Sequence, residues 1–122
     1  MKTSIVIRGG DSSGHTQLVI NSIRRWYDGE LTLSSWLNHD TSKLQGLSSI
    51  ILNEDPGPGP SFDAPDKHVQ NGYRQLISGL KGILNSSGEI ILVIRSDTII
   101  NKNPFHFFND PNFLKSTDSF KI

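Results

Sequence analysis

Apolar residues fall along this chain in two rhythms: short unbroken runs, and longer stretches that return every three or four positions. The runs cover residues 4–8, 31–36, 48–52 and 90–94, the last being Ile90, Ile91, Leu92, Val93 and Ile94 followed at once by Arg95, Ser96 and Asp97. Rich in β-branched residues and bounded by turn formers, each predicts a β-strand. The helical rhythm appears twice. Over 17–27 it is carried by Val19, Ile23, Trp26 and Tyr27, with Thr16 placed as N-cap and Asp28-Gly29 as the stop. Over 68–85 it is carried by Val69, Tyr73, Leu76, Ile77, Leu80, Ile83 and Leu84, which predicts a helix of about five turns with that stripe turned to the core. Asn71, Arg74, Gln75 and Ser78 fall on its other face.

The order strand, helix, strand, loop, strand, helix, strand predicts an α/β fold, a Rossmann-like and mostly parallel sheet flanked by helices, with right-handed crossovers. The run from Ile90 to Ile94 shows no alternation, which predicts a strand covered on both faces in the interior of that sheet. Ligands of such sheets bind beyond the carboxyl ends of the strands, so Arg95 and Asp97 are expected at a ligand edge. Residues 38–46 are polar and predict a loop or a single turn. Residues 53–65 begin with Glu54 and Asp55 and run into Pro56, Gly57, Pro58, Gly59 and Pro60, a loop that regular structure cannot enter.

At 122 residues the chain reads as a single domain, large enough to bury roughly two thirds of its unfolded surface. A tail from about residue 101 changes character: five of the six phenylalanines lie in the 18 residues from Phe105 onward. Phe105, Phe107, Phe108 and Phe113 are expected to cap the sheet edge or to form an interface, through self-association or with a further half of a longer protein. Twelve basic and twelve acidic residues give zero formal net charge and no charged block, which argues against nucleic acid as a partner. Cysteine is absent, which removes disulfides and thiol nucleophiles. No apolar run is long enough for a signal peptide or a transmembrane segment, so a cytoplasmic location is expected.

Four groups of residues carry candidate chemistry. Gly9 to Thr16 matches G-x-x-x-x-G-x-[ST] between a strand and a helix, but His15 stands where a phosphate-binding P-loop has lysine. Asp55, with Glu54, closes the third strand. Asn71, Arg74 and Ser78 lie three and four apart and so side by side on a helix, where a guanidinium matches a phosphate in bidentate geometry. Asp97 ends the fourth strand, a rigid place from which a carboxylate can hold a hard cation. The four histidines show no metal-ligand spacing, and no Ser-His-Asp order stands out.

Taken in order, Ser4-Ile5-Val6-Ile7-Arg8-Gly9, Leu33-Ser34-Ser35-Trp36, Asn53-Glu54-Asp55-Pro56-Gly57, Asn71-Gly72-Tyr73-Arg74-Gln75-Leu76-Ile77-Ser78 and Ile94-Arg95-Ser96-Asp97 resemble the WavE family of lipopolysaccharide synthesis proteins. The resemblance runs from residue 4 to about 108 and implies the nucleotide-binding half of a GT-A-like glycosyltransferase. Such an enzyme takes a sugar from a nucleotide-diphosphate donor to a glycan or lipid-linked acceptor at the inner face of the membrane. It implies that Gly9 lets the backbone approach base or ribose, that Ser35 and Asp55 hydrogen-bond nucleoside edges, and that Asn71 and Arg74 lie near the donor diphosphate. Asp97 matches the last acid of the family's D-x-D, expected to hold Mg²⁺ or Mn²⁺, while Arg95 occupies the place of the first acid and reduces the metal site to one carboxylate. An acceptor-binding half and a catalytic base are implied beyond the matched stretch, and no residue here stands out as that base. Two other readings stay open: a degenerate P-loop protein binding a nucleotide at 9–16, and a non-enzymatic α/β interaction module docking through the phenylalanine-rich tail.

Overall fold

The computed structural model of the chain describes residues 2–10, 14–56 and 67–109. Its elements are β1 (Thr3–Arg8), α1 (His15–Arg24), β2 (Glu30–Trp36), β3 (Ser49–Asn53), α2 (Lys67–Leu84), β4 (Ile90–Arg95) and a 3-10 turn over Pro104–Asn109. The four strands form one all-parallel sheet in the order β3-β2-β1-β4, an α/β Rossmann-like arrangement. The predicted strands and the second helix match to within a residue or two at their ends. The first helix departs further: Gly14, in the left-handed conformation, is its N-cap, Thr16 is buried inside the first turn, and the helix stops at Arg24. Arg24 explains the early stop, since its guanidinium donates to the carbonyls of Gly46, Tyr27 and Gly29 and ties the helix end to two loops.

Strand alternation divides the sheet into two unlike faces. On one, Ile5 and Ile7 of β1, Leu31 and Leu33 of β2 and Ile94 of β4 pack with Val19, Ile20 and Ile23 of α1 into a fully buried aliphatic core. Each such side chain contributes roughly 1.5–3 kcal/mol by leaving water. Trp26, Tyr27 and Phe105 close its rim, with the Tyr27 and Phe105 rings 5.6 Å apart and Trp26 Nε1 donating to the Ile100 carbonyl at 2.9 Å. Phe105 thus seals the α1 core; the side chains of Phe107 and Phe108, and all of Phe113, lie outside the described residues.

The opposite face carries Ser4, Val6, Arg8, Thr32 and Ser34, and α2 reaches it through glycine. A Cβ on Gly82 would strike Val6 and stand 3.4 Å from Ser34 Cβ, and one on Gly79 would stand 3.2 Å from Arg8 Cδ. The helix therefore settles close over β1 and β2, and Ser78, expected on a solvated face, is buried. This overturns the expected orientation of the aliphatic stripe: Leu76, Leu80, Ile83 and Leu84 are exposed, because the small residues beside them take the sheet contact. It also leaves β4 half-buried at the sheet's edge rather than interior, since α2 lies over β1 and β2 and only Leu92 and Ile94 enter the α1 core. An unbroken apolar run fits both situations equally well, so pattern alone favoured the wrong one. Among the described residues no helix is long and apolar enough to cross a membrane.

Candidate functional site

Parallel strands deliver all their carboxyl ends to one edge, and Gly9, Ser35, Asp55, Arg95 and Asp97 arrive there, with Asn71 and Arg74 on the helix that borders it. Gly9 follows β1, Ser35 is the next-to-last residue of β2, Asp55 lies two residues beyond β3, Arg95 ends β4 and Asp97 lies two residues beyond it. Asn71 and Arg74 occupy the first half of α2; the Asn71 side chain lies outside the described residues, as do 11–13 of the glycine loop and 57–66 of the proline loop.

At Gly9 the backbone turns sharply. Its φ of 123° lies in the region only glycine enters freely, and a Cβ there would stand 2.8 Å from Ser96 Oγ. The Gly9 N–H donates to the Ser34 carbonyl at 3.0 Å, Ser96 N–H to the Arg8 carbonyl at 2.9 Å, and Ser96 Oγ to the Gly10 carbonyl at 2.7 Å. The ends of β2, β1 and β4 are thereby laced together, and the His39 ring lies where a side chain on Gly10 would project. Asn53 performs the same service between β3 and β2, its Nδ2 donating to Ser34 Oγ at 2.9 Å and to the Ser35 carbonyl at 2.8 Å. Ser35 itself faces the α1 side; its Oγ is buried and meets no partner among the described residues.

The charged residues form two pairs. Arg74 grips Asp55 in a two-pronged contact, Nε to Oδ1 at 2.8 Å and Nη2 to Oδ2 at 3.2 Å, and the hydrogen bond to Asp55 raises the guanidinium's pKa further above its ordinary value. Arg95 Nη2 meets Asp97 Oδ2 at 2.9 Å, with both side chains more than half exposed. Exposed pairs of this kind add little stability but fix where a cation stands. From sequence, Arg95 and Asp97 form one candidate group while Asp55 and Arg74 stand in two others; the structure pairs Arg95 with Asp97 and joins Arg74 to Asp55. The sequence reading missed Arg8, which ends β1 directly opposite Arg95 on the same face of the sheet and has no ion-pair partner among the described residues. The signal was available: Arg8, like Arg95, is a cation closing an apolar strand.

The family model described as WavE lipopolysaccharide synthesis matches residues 6–118. The chain belongs to the WavE family. Its role is accordingly in lipopolysaccharide synthesis. No curated protein and no solved structure matches this WavE chain. Among the described residues no three of His, Cys, Asp or Glu converge, and the Asp97 carboxylate is already engaged by a cation. A hard divalent ion is commonly held by one or two carboxylates together with substrate phosphates and waters, and Asp97 is the carboxylate that stands at the β4 end of this edge.

Proposed function

We propose that this WavE chain supplies the donor site of a glycosyltransferase that uses a nucleotide-diphosphate sugar. The observation that carries this reading is that the carboxyl edge of a parallel sheet carries Arg74 on its β3 side and Arg95 on its β4 side, with a glycine turn between them where backbone can approach a ligand closely. Each guanidinium is parked on an aspartate, and a diphosphate offers the same fork geometry with more charge. Arg74 takes the diphosphate, with Asn71 one turn before it on the same helix, and Arg95, on the far outer strand, meets the sugar end of the donor. Asp55, held in place by Arg74 at the end of β3, borders the nucleoside hydroxyls, and the Gly9 turn admits the base or ribose. Ser35, buried on the far face, shapes the strand end on which the nucleoside rests. In this reading guanidinium takes over the neutralisation of charge that a second acid and its metal perform in a D-x-D site, leaving Asp97 to position Arg95.

The test is a thermal-shift and calorimetric screen of UDP-, GDP- and CMP-linked sugars, run with Mn²⁺, with Mg²⁺ and with EDTA. One nucleotide sugar should stabilise the protein, EDTA should leave its affinity within about two-fold, and Arg74→Gln should weaken it by at least ten-fold. Failure of every nucleotide sugar, with and without metal, would remove the donor-site reading.

A further inference from the structure

Between the exposed stripe of α2 and the edge strand β4 runs a groove of about 430 Å³, walled by Leu76, Gly79, Leu80, Ile83 and Val93. One cation, Arg8, closes it at the carboxyl edge, with Gln75 nearby on the helix. The two features differ in what they ask of an occupant. Leu80 and Ile83 stand 46% and 39% exposed, so the walls gain by burial against something apolar. Arg8 is half-buried without an ion pair among the described residues, whereas Arg95 opposite it has Asp97 as its anion. An apolar polypeptide strand or helix would leave Arg8 uncompensated, and a free anion would leave the groove wet.

We propose that the groove holds the hydrocarbon chain of a phosphorylated lipid, with its phosphate on Arg8 at the mouth. The polarity is set by topology. Helix α2 runs antiparallel to the strands, so the turn bearing Leu76 lies near the carboxyl edge and Ile83 lies two turns below it. Seven residues at 1.5 Å each give a run of roughly 10 Å for the chain, headgroup upward. The phosphate then sits on the same edge as Arg95, beside the sugar end of the proposed donor. That the lipid serves as acceptor, or carries it, rests on the transferase reading; that it binds does not.

Binding is measured by calorimetry with octyl phosphate below its micellar concentration, with octanol and inorganic phosphate as the two half-ligands and no nucleotide present. Octyl phosphate should bind at least ten-fold tighter than either half. Arg8→Gln, which keeps most of the stem packed under Gly79, and Leu80→Asn, at an exposed position, should each weaken it about ten-fold while unchanged urea midpoints show that the variants fold. Equal binding of octanol, or undiminished binding by both variants, overturns the proposal. So does attachment to phosphatidylglycerol vesicles without binding of monomeric octyl phosphate, which would indicate a membrane-surface patch. A dimer broken by Leu80→Asn, with no octyl phosphate bound, would give the groove to a second copy of the chain and overturn it equally.

Discussion

The two faces of the sheet are built from opposite materials. On the α1 side, large aliphatic residues interlock, and the polar side chains buried with them, Thr16 and Ser35 among them, are small. On the α2 side, serines, a threonine and a valine meet two helix glycines, and the helix's own leucines remain outside. The first face derives its cohesion from buried volume, the second from close approach of backbone. The difference separates two tasks: one face holds the sheet together, while the other keeps an aliphatic wall and an arginine available beside the ligand edge.

Substitutions can break this contrast, and the largest effect is expected on the α1 side. Ile7→Ala, at a fully buried position of the central strand, should cost about 2–5 kcal/mol in urea unfolding followed by Trp fluorescence. Gly82→Val should come next, at about 1–3 kcal/mol, because the added side chain collides with Val6 and lifts the helix. Gly9→Ala should also cost of order 1–3 kcal/mol through its φ of 123° and the Ser96 contact, and should weaken nucleotide-sugar affinity out of proportion to its effect on stability. Leu80→Asn should change stability by no more than about 0.5 kcal/mol, since the residue is exposed; a loss as large as that of Ile7→Ala would erase the distinction between the faces.

The smallest expected effect concerns pH and the amino-terminal edge of the sheet. Glu30 accepts from the Ser87 N–H at 2.9 Å, from Ser4 Oγ at 2.7 Å and from Ser87 Oγ at 2.8 Å. These bonds, the Ser87 backbone first, hold its carboxyl below the ordinary carboxylate value. A group depressed on folding adds stability above its unfolded pKa and loses it as pH falls through the folded one. Glu30→Gln should therefore leave a shallower loss of stability on acidification below about pH 4.5, read from urea midpoints across pH 3–6. An unchanged acid limb would mean that this carboxylate does not join β2 to the turn before β4.

Much of the fold was legible because hydrophobic period and turn chemistry agreed. Ile5-Val6-Ile7 before a glycine cluster, and the long stripe from Val69 to Leu84, identified their elements almost to the residue. Orientation was less legible. The stripe read as a buried face, yet Gly79 and Gly82 took the sheet, because close backbone approach leaves no mark in a hydrophobic pattern. The site was legible as an edge, since parallel topology alone sends Asp55, Arg95 and Asp97 to one end. The pairing of Arg74 with Asp55 was not, as it depends on how far α2 sinks onto the sheet. Arg8 was passed over because a cation at the end of a short strand is common, and only the groove beside it gives it significance.

The central position of β1 has a consequence for how the chain comes into being. Thr3 is held against Ile90, 87 positions later, while the β2 partners of the same strand lie only 26 away. At roughly 5–20 residues per second, the 59 residues between Trp36 and Arg95 take a ribosome about 3–12 s to deliver. Throughout that interval β1, α1 and β2 have been synthesised, yet the flank of β1 that will receive β4 stays open. A nascent chain of this design spends seconds with an apolar strand exposed, and during that time it is a client for whatever in the cell shields such edges.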